Sequence, residues 1–349
     1  MSEQAAARRP DTAAGPAPVP LRRNHSFRML WTGQLLSDTG SEMGLIAYPL
    51  LILALTGSPV LAGVVGTTRE IALICLQLPA GALSDRFDRR LTMIACDTVR
   101  TALMALLGTL IAVHLASWPV VLLVSIIEGA AGGLFDPSAA AALPSIVARE
   151  QLVEAWAATE GRTWAAGLAG PALGGLLFGA GRAIPFLADA VSYAVSFVTV
   201  TQIRGRFRPE RAPERKALRH EVLDGLRLVW KSPLLRAVAV LGPLVNFAFN
   251  GVLFAITVGL RQHGTSATVI GLVQGGIMAG GVLGAPVAPL LQRRLRPRAM
   301  FLTMNLAGTL LFAVAAVVIP SPLVALPVAV LVLLAPAGNS GLLASAQRQ

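Results

Sequence analysis

The chain has 349 residues, of which 54% are hydrophobic and only 13% are charged, with a formal net charge of +11. Because soluble globular proteins carry about 25% charged residues, this composition excludes an ordinary water-soluble domain. The two cysteines and four histidines lack the spacing of metal ligands. The sequence also contains no phosphate-binding loop and no catalytic triad. It therefore predicts no metal site, no cofactor and no enzyme activity.

Ten apolar segments of the chain are long enough to cross a bilayer as helices. Helices are the expected structure, because lipid offers no partner to an unpaired backbone group. Residues 1–25 precede these segments and are predicted to be a disordered cytoplasmic tail without a signal peptide. The predicted helices 1 to 10 are 27–55, 60–83, 90–114, 119–142, 155–180, 183–203, 236–260, 267–292, 298–319 and 322–345.

A long basic connection divides the chain into two parts. Residues 26–203 are predicted to form an N-terminal six-helix bundle, 204–235 a cytoplasmic linker, and 236–349 a C-terminal bundle of four helices. Within the linker, "HEVLDGLRLVWKS" has apolar residues at helical spacing opposite charged ones. It predicts an amphipathic helix that lies on the inner membrane face or packs on the bundle.

Lysines and arginines concentrate on one side of the predicted helices. Of the 29, only Arg182 and Arg261 fall on the opposite side, and Arg69 and Arg100 fall within helices. Arg162 is assigned to the connection between helices 4 and 5. The positive-inside rule then places both chain ends and the linker in the cytoplasm. The basic charge is thus a topology signal, and nucleic-acid binding is not predicted.

A charged turn, "GALSDRFDRRLTM" at residues 81–93, separates helices 2 and 3. Its arginines suit the inner headgroups, and Asp85 can accept hydrogen bonds at a helix N-terminus or pair with arginines. The turn is either a topology anchor or a conformational latch, and its aspartates favour the latch because an anchor needs none. Asp97 and Arg100 are expected to form an internal pair that braces the turn. The predicted latch residues are Gly81, Asp85, Arg86, Arg89, Arg90, Asp97, Arg100 and Asp136.

This turn resembles the signature loop of the major facilitator superfamily and lies at the same place in the topology. "GLAGPALGGLL" in helix 5 is similar to a glycine–proline motif of antiporters in that superfamily. Small residues of this kind let helices pack closely. The stretches "FDPSAAAALPSIVAREQLVEA" and "FLADAVSYAVSF" resemble the drug-efflux branch that includes macrolide and siderophore exporters. The helix-packing motif consists of Gly167, Gly170, Pro171, Gly174 and Gly175.

The resemblance implies an all-α polytopic membrane protein with the major facilitator fold, built from two parallel pseudo-repeats of six helices. Such proteins lie in the cell membrane with many passes, and about 10 of the 12 helices would be present here. We therefore expect a C-terminally truncated form of a chain roughly 60–80 residues longer. The full-length form would be a monomer. The sequence departs from the pattern of the superfamily at Ser125, where many proton-coupled members carry an arginine.

Ionisable residues inside the predicted helices are candidate functional residues, because burying them in a membrane is costly. Asp38 and Glu42 lie one turn apart on helix 1, and Glu128 lies near the middle of helix 4. These three are the candidates for transport and proton coupling, with structural ion pairing as the alternative. Arg69 is expected to neutralise Glu42 or Asp38.

In the superfamily that the turn resembles, helices 1, 4, 7 and 10 line a central cavity. Asn246 and Asn250 on helix 7, and Asn339 on helix 10, would face it together with Arg69. The asparagines could equally join helices by hydrogen bonds.

The expected function is secondary active export of amphipathic small molecules by alternating access, coupled to proton antiport. The partners would be a small-molecule substrate, protons and the lipid bilayer. A metabolite importer or facilitator on the same fold is an alternative, because fold does not fix cargo. A non-transporting membrane protein is another, although intramembrane carboxylates facing a cavity are hard to explain there.

Overall fold

The computed structural model describes residues 19–84, 88–203, 230–231 and 233–284. Over these ranges the regular secondary structure is helical, without a strand. Helices α1 to α6 are each long and apolar enough to cross a membrane. The α-helices are α1 (His25–Thr56), α2 (Pro59–Ser84), α3 (Arg89–Ala112), α4 (Trp118–Ile146), α5 (Leu152–Ala180), α6 (Ile184–Gln202), α7 (Pro233–Gln262) and α8 (Ala267–Gly284).

The first seven predicted helices match these bounds to within four residues at either end. The end of the tail is ordered, in contrast to the prediction of disorder for residues 1–25. Leu21–Arg23 forms a 3-10 turn, and Leu21 is buried. The predicted helices at 298–319 and 322–345, and most of the amphipathic linker segment, lie outside the described residues.

Local side-chain chemistry sets the ends of several helices. The Asn24 side chain accepts a hydrogen bond from the Phe27 amide at the start of α1, and Gly57 ends that helix with φ 67°. A positive φ of this kind strains any residue with a Cβ, so glycine suits the position. Asp88, from the charged turn, accepts from the amides of Arg90 and Leu91 and so caps α3.

Close helix pairs build the first bundle, with α2 against α4, α1 against α5 and α6, and α3 against α6. Glycines permit the closest of these crossings. At Gly133 a Cβ would lie 2.2 Å from the carbonyl oxygen of Leu73, so only glycine lets α2 approach α4 this far. Between the halves, α5 packs along α8.

Two apolar clusters occupy opposite ends of the described molecule. The first, here called the interbundle cluster, joins both halves through residues such as Leu50 of α1, Leu253 of α7 and Ile270 of α8. The second, here called the basal cluster, surrounds the start of α1 and includes Phe27 and Phe135. In the part of the chain that the structure describes, it takes no residue from α7 or α8. Within the described residues, the halves contact each other through the interbundle cluster and the α5–α8 crossing.

Candidate functional site

A cavity of about 490 Å³ opens between α7 and the helices α1, α2, α4 and α5. Its volume lies within the range of small-molecule binding sites. Apolar side chains and Trp156 form part of its wall. The charged and amide side chains that line it are Gln34, Asp38, Glu42, Arg69, Glu70, Arg100, Asp136, Arg162, Asn246 and Asn250.

A buried ion pair joins α2 to α4 at the deep end of this cavity. The Arg69 Nε lies 2.6 Å from Oε2 of Glu128, and the Arg69 Nη1 lies 2.8 Å from Oε1 of Glu70. The Tyr193 hydroxyl donates to Glu128 over 3.0 Å and is itself 2.8 Å from the Ser41 hydroxyl. The Glu128 side chain is only 3% exposed. It is thus enclosed by donors that compensate its charge.

This pairing corrects an expectation from the sequence. The sequence predicts that Arg69 neutralises Asp38 or Glu42, but Arg69 binds Glu128 and Glu70 instead. The reason is geometric, because Arg69 lies at the tight α2–α4 crossing, where the Gly129 position touches its backbone.

A second ion pair joins α1 to α5. The Arg162 Nε lies 3.1 Å from Oδ2 of Asp38, and another guanidinium nitrogen of Arg162 donates to Oε1 of Gln34. The Asp38 side chain is 28% exposed to the cavity, whereas that of Arg162 is 8% exposed. Arg162 is therefore a residue of the bundle interior. Its assignment to the connection between helices 4 and 5 is wrong, since α5 begins at Leu152.

The guanidinium of Arg100 behaves differently from the other two. It lies over the rings of Phe135 and Tyr193, with distances of 5.2 and 5.0 Å from its Cζ to the ring centroids. It makes no hydrogen bond and no ion pair within 4 Å to any residue of the described ranges. The expected pair between Asp97 and Arg100 is not formed, because Asp97 is buried beside Ser196 while Arg100 reaches the cavity.

Two carboxylates of the lining have no ion pair within 4 Å, counting the described residues alone. They are Glu42 on α1 and Asp136 on α4. On the facing wall, Asn246 and Asn250 are exposed to the cavity and hydrogen-bond to each other. Asn339, the third predicted amide, lies outside the described residues.

The predicted helix-packing motif lies at two helix crossings. A Cβ at Gly170 or Gly174 would collide with α1, and one at Gly175 would lie 2.7 Å from the Cα of Gly271 on α8. At Gly167, by contrast, no described atom lies within 4 Å of such a Cβ. Four of the five motif residues are thus buried in helix contacts.

The described latch residues lie partly at the basal ends of the helices and partly in the cavity lining. Gly81 lies in the last turn of α2, while Asp85 and Arg86 are outside the described residues. Arg89 donates to the carbonyl of Ala141, and Arg90 donates to carbonyls at the end of α6. Arg100 and Asp136 line the cavity instead.

Sequence reasoning missed several residues of this site. Arg162 could have been identified from the sequence, because it is a charged residue almost three turns inside the apolar α5. Tyr193 and Asp189, in the quoted stretch "FLADAVSYAVSF", are both buried on α6, where Asp189 accepts a hydrogen bond from Ser192. Asp189 could have been identified from the sequence, because it is a charged residue inside an apolar segment. No sequence feature predicts the contact of Tyr193 with Glu128.

A family model matches almost the whole chain. It covers residues 16–346 and describes a transmembrane secretion effector of the major facilitator superfamily.

Two groups of curated relatives are exporters by name. The multidrug efflux pump Tap of Mycolicibacterium fortuitum is 24% identical over 83% of this chain and 73% of its own length. The enterobactin exporter EntS of Citrobacter koseri is 25% identical over 84% of this chain and 70% of its own length.

Solved structures share the fold. A bacterial homologue of the human lysosomal transporter Spinster, inward-facing and occupied, aligns with TM-score 0.72 at 15% identity, over 92% of this chain and 73% of that one. A bacterial homologue of the iron transporter ferroportin, inward-facing, aligns with TM-score 0.66 at 19% identity, over 95% and 85% of the two chains.

Proposed function

Because the chain belongs to the transmembrane secretion effectors, a family of the major facilitator superfamily, we propose that it exports amphipathic small molecules across the cell membrane. The observation that carries this proposal is the cavity of about 490 Å³, which combines apolar walls with charged groups. The exporter names of the two curated relatives support the direction of transport.

We propose that export proceeds by alternating access and that the described conformation is inward-facing. The lining of the cavity reaches Leu30 near the start of α1 and Leu143 near the end of α4, and the positive-inside rule assigns that end to the cytoplasm. At the other end the interbundle cluster closes the path between the halves. The close crossing of α5 and α8 supports a movement in which the two bundles rock about this contact.

Proton antiport is proposed to act through Asp38. This carboxylate is in contact with the cavity, so water can deliver a proton to it, and its ion pair with Arg162 links α1 to α5. Protonation would remove the charge that holds Arg162 and would weaken this link. Glu128 is less suited to the role, since its side chain is 3% exposed and is enclosed by Arg69 and Tyr193.

Proteoliposomes that contain the purified protein and rhodamine B test the function and the coupling together. We expect the wild-type chain to release the dye, and to release it faster when the outside is more acidic. Asp38→Asn should keep slow release but lose the acceleration by the pH gradient. The matched control is Glu154→Gln, which removes an exposed carboxylate in the first turn of α5.

Two outcomes would contradict the proposal at different levels. Absence of any release by the wild-type protein, across a panel of amphipathic dyes, would reject export. Release by Asp38→Asn that still accelerates with the gradient would reject Asp38 as the coupling residue and leave export standing.

A further inference from the structure

We infer that the cavity is built for an amphipathic zwitterion, whose anionic oxygens bind Arg100 and whose cationic group faces Glu42. This inference rests on the proposed function and names the class of substrate for the same cavity.

The first observation is that Arg100 is buried and has no hydrogen-bond acceptor. The residue is 5% exposed, it lines the cavity, and its Nε finds no partner in the described structure. The rings of Phe135 and Tyr193 stabilise its charge. They cannot accept its N–H groups as a carboxylate would, and a buried donor without an acceptor is costly. An anionic oxygen of a ligand would supply the missing acceptor.

The other two arginines of the lining are already occupied. Arg69 is bound by Glu128 and Glu70, and Arg162 by Asp38 and Gln34. A guanidinium that already has carboxylate partners gains little from a further anion. The anionic end of a ligand is therefore directed to Arg100.

The second observation concerns the two carboxylates that lack an ion pair. Asp136 is attracted at longer range by two arginines, Arg100 and Arg162. For Glu42 the strongest attraction comes from Arg69, which two other carboxylates already neutralise. An uncompensated carboxylate in a membrane interior favours a cationic partner, so the cationic end of a ligand is directed to Glu42.

The two anchor points lie at similar depth, which sets the shape of the ligand. The Arg100 Cζ lies 5.0 Å from the centroid of the Tyr193 ring, and the Tyr193 hydroxyl lies 2.8 Å from that of Ser41, the residue before Glu42. The anionic and cationic groups of the ligand therefore need only a short separation. Apolar lining such as Leu73 and Leu45 can hold the uncharged body of the molecule.

Equilibrium binding of related dyes to the full chain in nanodiscs tests the inference without transport. Rhodamine B carries a carboxylate and a cationic ring system, its ethyl ester keeps only the cation, and fluorescein is anionic on the same type of ring. Fluorescence anisotropy should show rhodamine B binding about tenfold more tightly than its ester and than fluorescein, the strength of one charge-assisted hydrogen bond. This comparison uses the unchanged protein, so it cannot fail through misfolding.

Two variants then assign the ends of the ligand. Arg100→Gln should reduce the preference for rhodamine B over its ester from about tenfold to about one, with the affinity for the ester unchanged. Glu42→Gln should weaken rhodamine B and the ester equally and keep their ratio. Arg182→Gln and Glu154→Gln are the matched controls, because they remove one charge of each sign outside the cavity lining.

Equal affinity of the wild-type protein for rhodamine B and its ester would overturn the inference, and so would tightest binding of fluorescein. An Arg100→Gln variant that keeps the full preference would overturn the role of Arg100. Failure of the proposed function gives a different result, namely dye binding with these preferences but no release from proteoliposomes.

Discussion

Glu128 and Arg69 form a buried ion pair between α4 and α2, and its effect on stability can be predicted separately from any role in proton coupling. When Glu128 loses its charge, Arg69 keeps only Glu70, whose side chain is 50% exposed. A buried charge that loses its buried partner costs more than the pair's own contribution. We expect Glu128→Gln to lower the free energy of unfolding by about 3 kcal/mol. Thermal or denaturant unfolding of the purified protein in lipid micelles would measure this loss.

A double variant separates the cost of the unpaired charge from the cost of lost packing. Replacing Arg69 and Glu128 together by leucines removes both charges, and such replacements are often nearly neutral. Tyr193 would keep its contact with Ser41. A Glu128→Gln protein as stable as the wild type would show that the pair does not hold α2 to α4.

Residue identities were easier to predict from the sequence than residue partners. Intramembrane charge alone singled out Asp38, Glu42 and Arg69, and all three line the cavity. Their pairing could not be predicted, because it depends on how helices far apart in the chain are rotated against each other. The pair between Asp38 and Arg162 joins α1 to α5 in this way, and the helical periodicity of either segment carries no information about the other.

At the scale of helices, the α5–α8 crossing makes a prediction with a control inside the same motif. A Cβ at Gly175 would lie 2.4 Å from the carbonyl oxygen of Ala267, so the two helices would have to move apart. We expect Gly175→Ala to lower the free energy of unfolding by about 1–3 kcal/mol and to slow dye release. Gly167→Ala meets no atom within 4 Å in the described structure and should be neutral or stabilising by up to about 1 kcal/mol. Equal stability of the two variants would contradict close packing at this crossing.

The helices themselves were the most predictable part of the molecule. Their lengths follow from bilayer thickness, and their ends follow from local signals such as Gly57 and Asp88, so α1 to α7 were placed within a few residues. The contact between α5 and α8 is not local. The glycine–proline motif indicated that a close neighbour exists, but not that Gly271 would be part of it.

At the scale of the whole molecule, the proposed inward-facing conformation predicts which residues meet water. Asn250 is exposed to the cavity, whereas Thr257, two turns further along α7, is 1% exposed. In a background in which Cys75 and Cys96 are replaced by alanine, we expect Asn250→Cys to react with a membrane-impermeant thiol reagent in inside-out vesicles. Thr257→Cys should stay unreactive there.

Right-side-out vesicles complete this measurement. Asn250→Cys should react at least tenfold more slowly in them, because the reagent would have to pass the interbundle cluster. Equal reaction from both sides, or faster reaction from outside, would contradict the orientation or the conformation.

The interbundle cluster also determines where the membrane voltage acts. In the proposed inward-facing conformation, cytoplasmic water in the cavity has the electrical potential of the cytoplasm down to the cavity floor. The voltage then drops mainly across the apolar cluster beyond it. Each elementary charge that crosses this layer gains or loses about 2.3 kcal/mol per 100 mV. Under the proposed antiport, a zwitterion has no net charge and crosses without electrical work, whereas a proton that enters through Asp38 moves one full charge inward. We therefore expect each export cycle to be electrogenic, so that the voltage itself, negative inside, drives the pump even when no pH difference exists.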